Sequence, residues 1–409
     1  MTRYGKIFLY FLAISALAWI LPWLYGFVTP DTRSAPFTLL SEVNNQFLSN
    51  LPDTQGNGLS MIDQDGNIYT KNEIDSMLPT FYYRQLLSDG KLPDSLHGLP
   101  MTAKDIQTNN FFLRFSPSDI NRRGVGLYPL LESRSGRVDL EMPSDVFRIT
   151  SKGIEFVDIA TNTVDAEKSR IFTQAMEQKG FVFPAVEIAG NPTVRKEYDN
   201  GYLLIDQKHQ VFRLMMVKGR PFVRQTGIDP ALRMRHAFVT ELRSRLYFGL
   251  LTDEEHNFYA LDSEYRLIPL QVEHFDPETE SAMLIGNMFN RTIRFDKPDT
   301  VRWYGTTADD RTLISKRDMN FEPSLARQAA SYVFPFTLSF TSRYDRYMYP
   351  RLEDISFRAL ILNCLLAVAI AWIRRRKNQS ATIPALVTLV TGVYGFLAVL
   401  VLRIPQGNR

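Results

Sequence analysis

Residues Ile7 to Val28 read IFLYFLAISALAWILPWLYGFV, an uncharged apolar run of 22 residues. At 1.5 Å per residue, a helix of this length crosses the roughly 30 Å hydrocarbon core of a bilayer. No other feature constrains the chain as strongly, because it puts one segment in lipid and hangs the remainder from it. Arg3 and Lys6 precede the run and place that end in the cytoplasm by the positive-inside rule. Trp19, Trp23 and Tyr25 gather near its far end, where amphipathic rings suit a membrane–water interface. A cleaved signal peptide has a shorter apolar core and a small-residue cleavage site. This run leaves through LPWLYGFVTP, bulky and aromatic, so an uncleaved anchor is expected.

Two more apolar runs lie near the other end, Phe357–Ile373 and Ala381–Leu402. Arg374, Arg375, Arg376 and Lys377 separate them, the strongest positive-inside signal in the chain. The third run is expected to be one continuous span, with Gly392, Gly395 and Ala398 allowing close helix packing, as for docking a partner span. Arg403 and Arg409 then fall on the outer side, against the rule. The expected layout is therefore a cytoplasmic start and first span (1–28), a linker with a short helix (29–57), and a large outer domain (58–350). Spans at 356–373 and 381–402 follow, joined by a basic cytoplasmic turn (374–380), with a tail at 403–409. In a bacterium the outer domain is periplasmic, and the protein is a multi-pass resident of the inner membrane.

The 409 residues suit an anchor plus one large domain. A net charge of only +3 implies no nucleic-acid partner. The single cysteine, Cys364, excludes intramolecular disulfides and paired-cysteine metal or redox motifs, and it reads as a small apolar residue of the second span. Apolar spacing in FTLLSEVNNQFLSNL, Phe37 to Leu51, predicts a short helix.

From about Gly58 to Asn320 the texture changes to short apolar runs broken by Gly, Asn, Asp and Pro, an all-β signature. A weak repeat runs through it: LSMIDQDGNIY, IEFVDIATNTV, YLLIDQKHQVF and FYALDSEYRLI. Each is an apolar strand, an Asp (Asp63, Asp158, Asp206, Asp262), a polar turn and a new strand start. Phe111–Leu131 and Val301–Lys316 read as further hairpins. Repeats of about 40–50 residues with several strands each mark propeller blades, so the fold class expected is mainly β with transmembrane helices. The outer domain is then propeller-like, with about six irregular blades, and a β-sandwich with helical insertions is the competing architecture.

The repeated Asp has a local role, since an Asp before a turn accepts backbone N–H groups two residues on. Calcium binding by DQDGN is the sharper reading, but Gly66 and Ile74 stand where an EF-hand loop needs other residues. Ala166–Lys179 allows an amphipathic helix or a strand plus turn. Pro230–Phe248, with Arg233, Arg235, Arg243 and Arg245, allows helix or strand; its charges read as a solvated face paired with Asp253, Glu254 and Glu255 rather than a patch for anionic lipid. The aromatics of Phe334–Pro350 read as an interfacial belt or the closing strand of the β domain.

No phosphate loop, nucleophile elbow or H-E-x-x-H motif is present. The histidines His97, His209, His236, His256 and His274 show no i, i+4 pairing, and Asn290-Arg291-Thr292 fits the glycosylation sequon. No catalytic, cofactor-binding or metal residue is assigned, and no cofactor is implied.

The layout resembles a family of bacterial inner-membrane proteins with an aromatic-ended first span, a propeller-like periplasmic domain and a closing helical hairpin. LPWLYGFV, GYLLIDQKHQVFRLMMVKG (Gly201–Gly219) and the last two spans carry the likeness. The resemblance implies association with components of ABC transporters and carries over no functional residue. The expected role is a non-enzymatic accessory or partner-binding subunit, whose partners are the lipid bilayer and other membrane subunits. A membrane-anchored sensor of an unidentified small ligand and an enzyme on a propeller scaffold are the alternatives.

Overall fold

The computed structural model describes residues 3–31, 33–52, 59–134 and 136–402. The chain divides into two compact units: residues 35–319, and the two chain ends, 1–34 with 320–409. The tail expected at 403–409, with Arg403 and Arg409, lies outside the described residues, as does Gly58.

The unit 35–319 is built from small antiparallel sheets, mostly of strands consecutive in sequence. The first sheet runs Phe37–Leu40, Phe47–Pro52, Leu59–Ile62, Ile68–Tyr69. The second has three strands, Asp145–Thr150, Gly153–Asp158 and Thr163–Asp165. The third is Glu187–Gly190, Tyr202–Ile205, Val211–Val217, Arg220–Gln225, and the fourth Met234–Val239, Tyr247–Asp253, Phe258–Asp262, Leu267–Pro269. In the fifth, Leu313–Asn320, Thr300–Thr307, Asn290–Asp296 and Ser281–Gly286 are joined at the edge by Phe111–Phe115.

Face-to-face burial holds the series together. Every residue of Tyr202–Ile205 is buried. Because successive side chains of a strand point to opposite faces, Tyr202 and Leu204 enter a core with Phe147 and Phe156 of the second sheet. Leu203 and Ile205 enter another with Phe248 and Leu251 of the fourth. Tyr247–Asp253 repeats the pattern: Leu250 packs with Phe258, Phe275 and Phe295, while Phe248 and Leu251 face the third sheet. The first sheet meets the fifth, where Leu40 N–H donates to the Thr292 hydroxyl at 2.9 Å. The fold class is thus mainly β with an apolar N-terminal helix, and among the described residues no closed barrel or propeller is found.

Several expectations change. Phe37–Leu51 is a β-hairpin, not a helix, with Leu40 opposite Phe47. Ser41 Oγ accepts from the N–H groups of Val43 and Asn44, and Asn45 turns with φ 59°. That turn breaks the helical period, and strand pairing then buries Leu39, Leu40, Phe47 and Leu48. Phe111–Leu131 is no hairpin, because Phe111–Phe115 pairs with the distant Ser281–Gly286. Ala166–Gln178 is a helix burying Phe172 and Met176. Met234–Val239 is a strand, with Arg233 paired to Glu254 and Arg235 to Glu278. Asn290 of the sequon is 2% exposed and unavailable to a glycan.

The Asp repeat is a built turn. Asp63 Oδ1 accepts from the N–H groups of Asp65 and Asn67, both at 2.9 Å. Asp206 and Asp262 accept in the same way from residues two and four further on. Asp158 differs and caps Thr161. Asp253, expected on the solvated face with the arginines, is instead buried and matches Asp63 atom for atom: Asn257 Nδ2 and the Tyr259 hydroxyl bond its Oδ2 as Asn67 and Tyr69 bond Asp63. The fourth position of each turn is left-handed, at Gly66, His209, His256 and Tyr265. With both Asp63 oxygens engaged by protein donors, the turn accounts for this carboxylate without calcium.

Burial raises the Asp63 pKa, but Tyr69, Asn67 and the backbone N–H groups outweigh it and bring the group to about 2. The ionised form is the one the fold favours, so its stabilisation is complete above the ordinary value of 3.8 and is lost as pH falls toward about 2. The stability difference between wild type and Asp63→Asn, read from urea unfolding, is expected to shrink from about pH 6 to about pH 2.5. A constant difference would remove this account. Between the third and fourth sheets, Lys196 Nζ lies 2.6 Å from both Asp199 and Glu241, all three nearly sealed from water. Lys196→Met leaves two buried carboxylates without their cation and is expected to cost about 3–5 kcal/mol in the same measurement.

Candidate functional site

The unit of the two chain ends carries the apolar helices: α1 (Arg3–Val28), α2 (Leu325–Val333), α3 (Leu360–Arg376), α4 (Thr382–Thr391) and α5 (Val393–Val401). Among the described residues two helical segments are long and apolar enough to cross a membrane, Ile7–Val28 and Phe357–Arg376. Arg3 and Lys6 fall in the first turns of α1. Arg374, Arg375 and Arg376 end α3, and Lys377 caps it. Cations at a helix C-terminus also complement its dipole. Cys364 lies on α3 and is exposed.

The third apolar run is not one helix. It breaks at Gly392 (φ 60°, ψ −133°) into α4 and α5. In a continuous helix the Leu389 carbonyl would accept from the N–H four residues on. Here the side chain of Asn363, buried on α3, donates Nδ2 to it at 3.2 Å. A Cβ at Gly392 would stand 2.2 Å from Asn363 Oδ1, so the left-handed turn and the close approach both require glycine. Gly395 and Ala398 are buried on α5, which packs against α1, and the Tyr10 hydroxyl donates to the Leu402 carbonyl at 3.3 Å. The small-residue face is therefore taken up within the chain, not left open for a partner span.

The aromatics of Phe334–Pro350 form the floor of this unit. Phe334 stacks on Tyr394 at 6.0 Å, and the Tyr394 hydroxyl donates to the Phe336 carbonyl at 2.6 Å. Trp19 meets Phe340 edge-on at 5.4 Å. Thr337–Ser339 pairs with Arg351–Glu353, so the segment closes a two-stranded ribbon of this unit instead of the β domain. Together α1, α2 and the ribbon enclose a cavity of about 1200 Å³. Its lining combines aromatic residues, Trp19, Trp23, Phe334 and Phe340, with charged ones, Asp31, Arg327, Glu353, Asp354 and Arg358. Arg33 donates Nε to Asp31 at 2.8 Å and holds that carboxyl near 2. A lining of aromatic and charged groups together suits an amphipathic ligand.

The residues singled out from sequence thus fall into separate places. The Asp turns cap hairpins of the β unit, the basic cluster ends α3, and the glycines shape α4 and α5. Asn363, the Asp253 turn and the Gly392 break were not foreseen; a Gly inside an apolar run opposite a lone Asn was the available signal for the break. Among the described residues no group of three or more His, Cys, Asp or Glu is placed to hold a metal.

Gly392→Ala is expected to lower stability by about 1–3 kcal/mol through the strained backbone. Asn363→Leu, which leaves the Leu389 carbonyl without its donor, is expected to cost a similar amount, about 1–3 kcal/mol. Thermal unfolding in detergent reads both. Wild-type midpoints for both variants would mean that the helix is continuous.

The profile of a domain of unknown function, DUF4857, matches residues 37–306. No curated protein matches the chain. Among solved structures it is similar to PorZ, described as an essential bacterial surface component of the type-IX secretion system of Porphyromonas gingivalis. The identity is 7% and the TM-score 0.22, over 72% of this chain and 33% of that one. The chain therefore spans about a third of that protein's length.

Proposed function

The chain belongs to the DUF4857 family, and we propose that it is a non-enzymatic accessory subunit of an inner-membrane complex of the ABC-transporter type. In this reading the sheets of 35–319 act as blades of a propeller-like domain held in the periplasm. One observation carries the membrane part: apolar helices from both chain ends pack into one unit, α1 against α5. A cleaved leader would have no place in such a packed set. The segment 35–319 is then a long excursion whose two ends return to the same layer. Basic residues at Arg374 to Lys377 keep the α3–α4 turn cytoplasmic. In this reading transport or signalling rests on partner subunits. The cavity beside Trp19 and Trp23 supplies a surface for an amphipathic segment of such a partner or for a lipid.

Two measurements test this. In a Cys364→Ser background, Asn162→Cys is expected to react with a membrane-impermeant maleimide in intact cells, and Gln379→Cys only after lysis. The reverse pattern overturns the topology. Purification of the full-length protein in mild detergent is expected to recover further membrane subunits, an ATPase and a permease among them. A lone monomer, repeated across gentle detergents, overturns the accessory role.

A further inference from the structure

A second cavity, of about 630 Å³, lies within the β unit where the first and fifth sheets meet, and its lining falls inside the family-matched segment. Its size is that of a small-molecule site. Phe37, Phe81, Tyr82 and Phe111 supply an aromatic wall, with Phe37 and Phe81 5.8 Å apart and Phe81 edge-on to Tyr82 at 5.0 Å.

The polar end is built from Glu42, Thr80, Asn110 and Asn287. Glu42 is 2% exposed, in the turn after strand Phe37–Leu40. Its Oε1 accepts from the Thr80 hydroxyl and from Asn287 Nδ2, the latter at 2.9 Å. Its Oε2 has no hydrogen-bond partner. Asn110 donates Nδ2 to the Thr80 carbonyl at 2.8 Å, and its Oδ1 also has no partner. Two buried acceptor atoms, joined through Thr80, therefore stand at one end of an aromatic cleft without donors. A buried acceptor left unmatched costs about 1–3 kcal/mol, and this polar cluster carries two.

We propose that this cleft binds an organic cation, a primary ammonium on an aromatic or apolar body, with its N–H groups on Glu42 and Asn110. An ammonium brings three donors and no acceptor, the inverse of the site. Thr80 and Asn287 occupy Oε1, which leaves Oε2 as the oxygen available to the ligand. The rings supply cation–π attraction beside the carboxylate. Both unmatched atoms being acceptors, an anion gains nothing at this end.

Several charged and titratable groups surround Glu42, and Arg84 lines the same cleft. His97 Nε2 lies 2.6 Å from the Glu42 backbone carbonyl. Asp75 is buried on the helix Lys71–Met77, and its Oδ1 also has no hydrogen-bond partner. Arg84, on the helix Tyr83–Ser88, donates Nε to the Tyr83 hydroxyl at 3.1 Å. Arg291 sits over the Phe111 ring at 5.2 Å and donates to the Asn287 carbonyl. Burial raises the Glu42 carboxyl to about 7, with the Thr80 hydroxyl pulling it back. Below that pH the folded protein holds Glu42 neutral. A cation selects the ionised form, so binding releases a proton and strengthens as pH rises through this range.

The test is isothermal titration of the full-length protein, in non-ionic detergent and amine-free buffer, with 2-phenylethylamine and the neutral 3-phenylpropan-1-ol. The amine is expected to bind at least tenfold more tightly than the alcohol, and about tenfold more tightly at pH 8 than at pH 6. Glu42→Gln is expected to abolish both the preference and the pH dependence; if that variant fails to fold, Asn110→Leu and the wild-type pH profile decide. Equal binding of the alcohol, a flat pH profile, or no amine binding up to about 10 mM overturns the proposal. The result is independent of subunit recovery, so this proposal and the accessory role fail separately.

Discussion

The burial of single strands on both faces is the constraint on which the β unit depends. Tyr202–Ile205 and Tyr247–Asp253 are buried along their length, and each feeds two cores at once. A strand of this kind has no solvent face to give up, so each sheet needs a neighbour on either side. Apolar burial at roughly 25 cal/mol per Å² then acts twice per strand. The polar groups between sheets are fixed by the same requirement. Lys196 with Asp199 and Glu241, and Tyr247 with Asp310 and Arg291, lie where sealing the sheets leaves no water to solvate them.

Much of this was legible in the residues. The alternation of short apolar runs with Asp-led turns marks strands, and the turns at Asp63, Asp206 and Asp262 form as their chemistry requires. Asp253 reads in sequence as one more surface charge because its turn, DEEHN, shares only Asp, Asn and a Tyr two places on with DQDGN. The hairpin at Phe37–Pro52 was misjudged because a few apolar residues fit a helical period by chance, while the deciding groups, the Ser41 hydroxyl and Asn45, are polar turn residues. The pairing of Phe111–Phe115 with Ser281–Gly286 is a long-range contact, and local pattern carries no information about such a partner.

In the unit of the chain ends, hydropathy and charge located the apolar helices and their basic cluster, yet the interruption at Gly392 was invisible to a hydropathy average. Helix breaks in apolar surroundings persist only where another group takes over the freed backbone polar atoms. Asn363 does so from the neighbouring helix, and a side chain recruited from 26 residues away leaves no mark on local composition. The clefts were illegible for the same reason. Glu42, Thr80 and Asn110 are ordinary polar residues in sequence, and only the meeting of the first and fifth sheets makes them a site.

The contact between the first and fifth sheets also bears on how the chain is made. Leu40 finds its partner Thr292 across 252 residues of sequence. At roughly 5–20 residues per second, a growing chain reaches that partner only after a delay on the order of 10–50 s. Throughout that interval the inner face of the first hairpin stands bare while later sheets are still being synthesised. The sheet that emerges first is thus among the last to be covered, and in a living cell something else must shield Leu40 and its neighbours until the fifth sheet arrives.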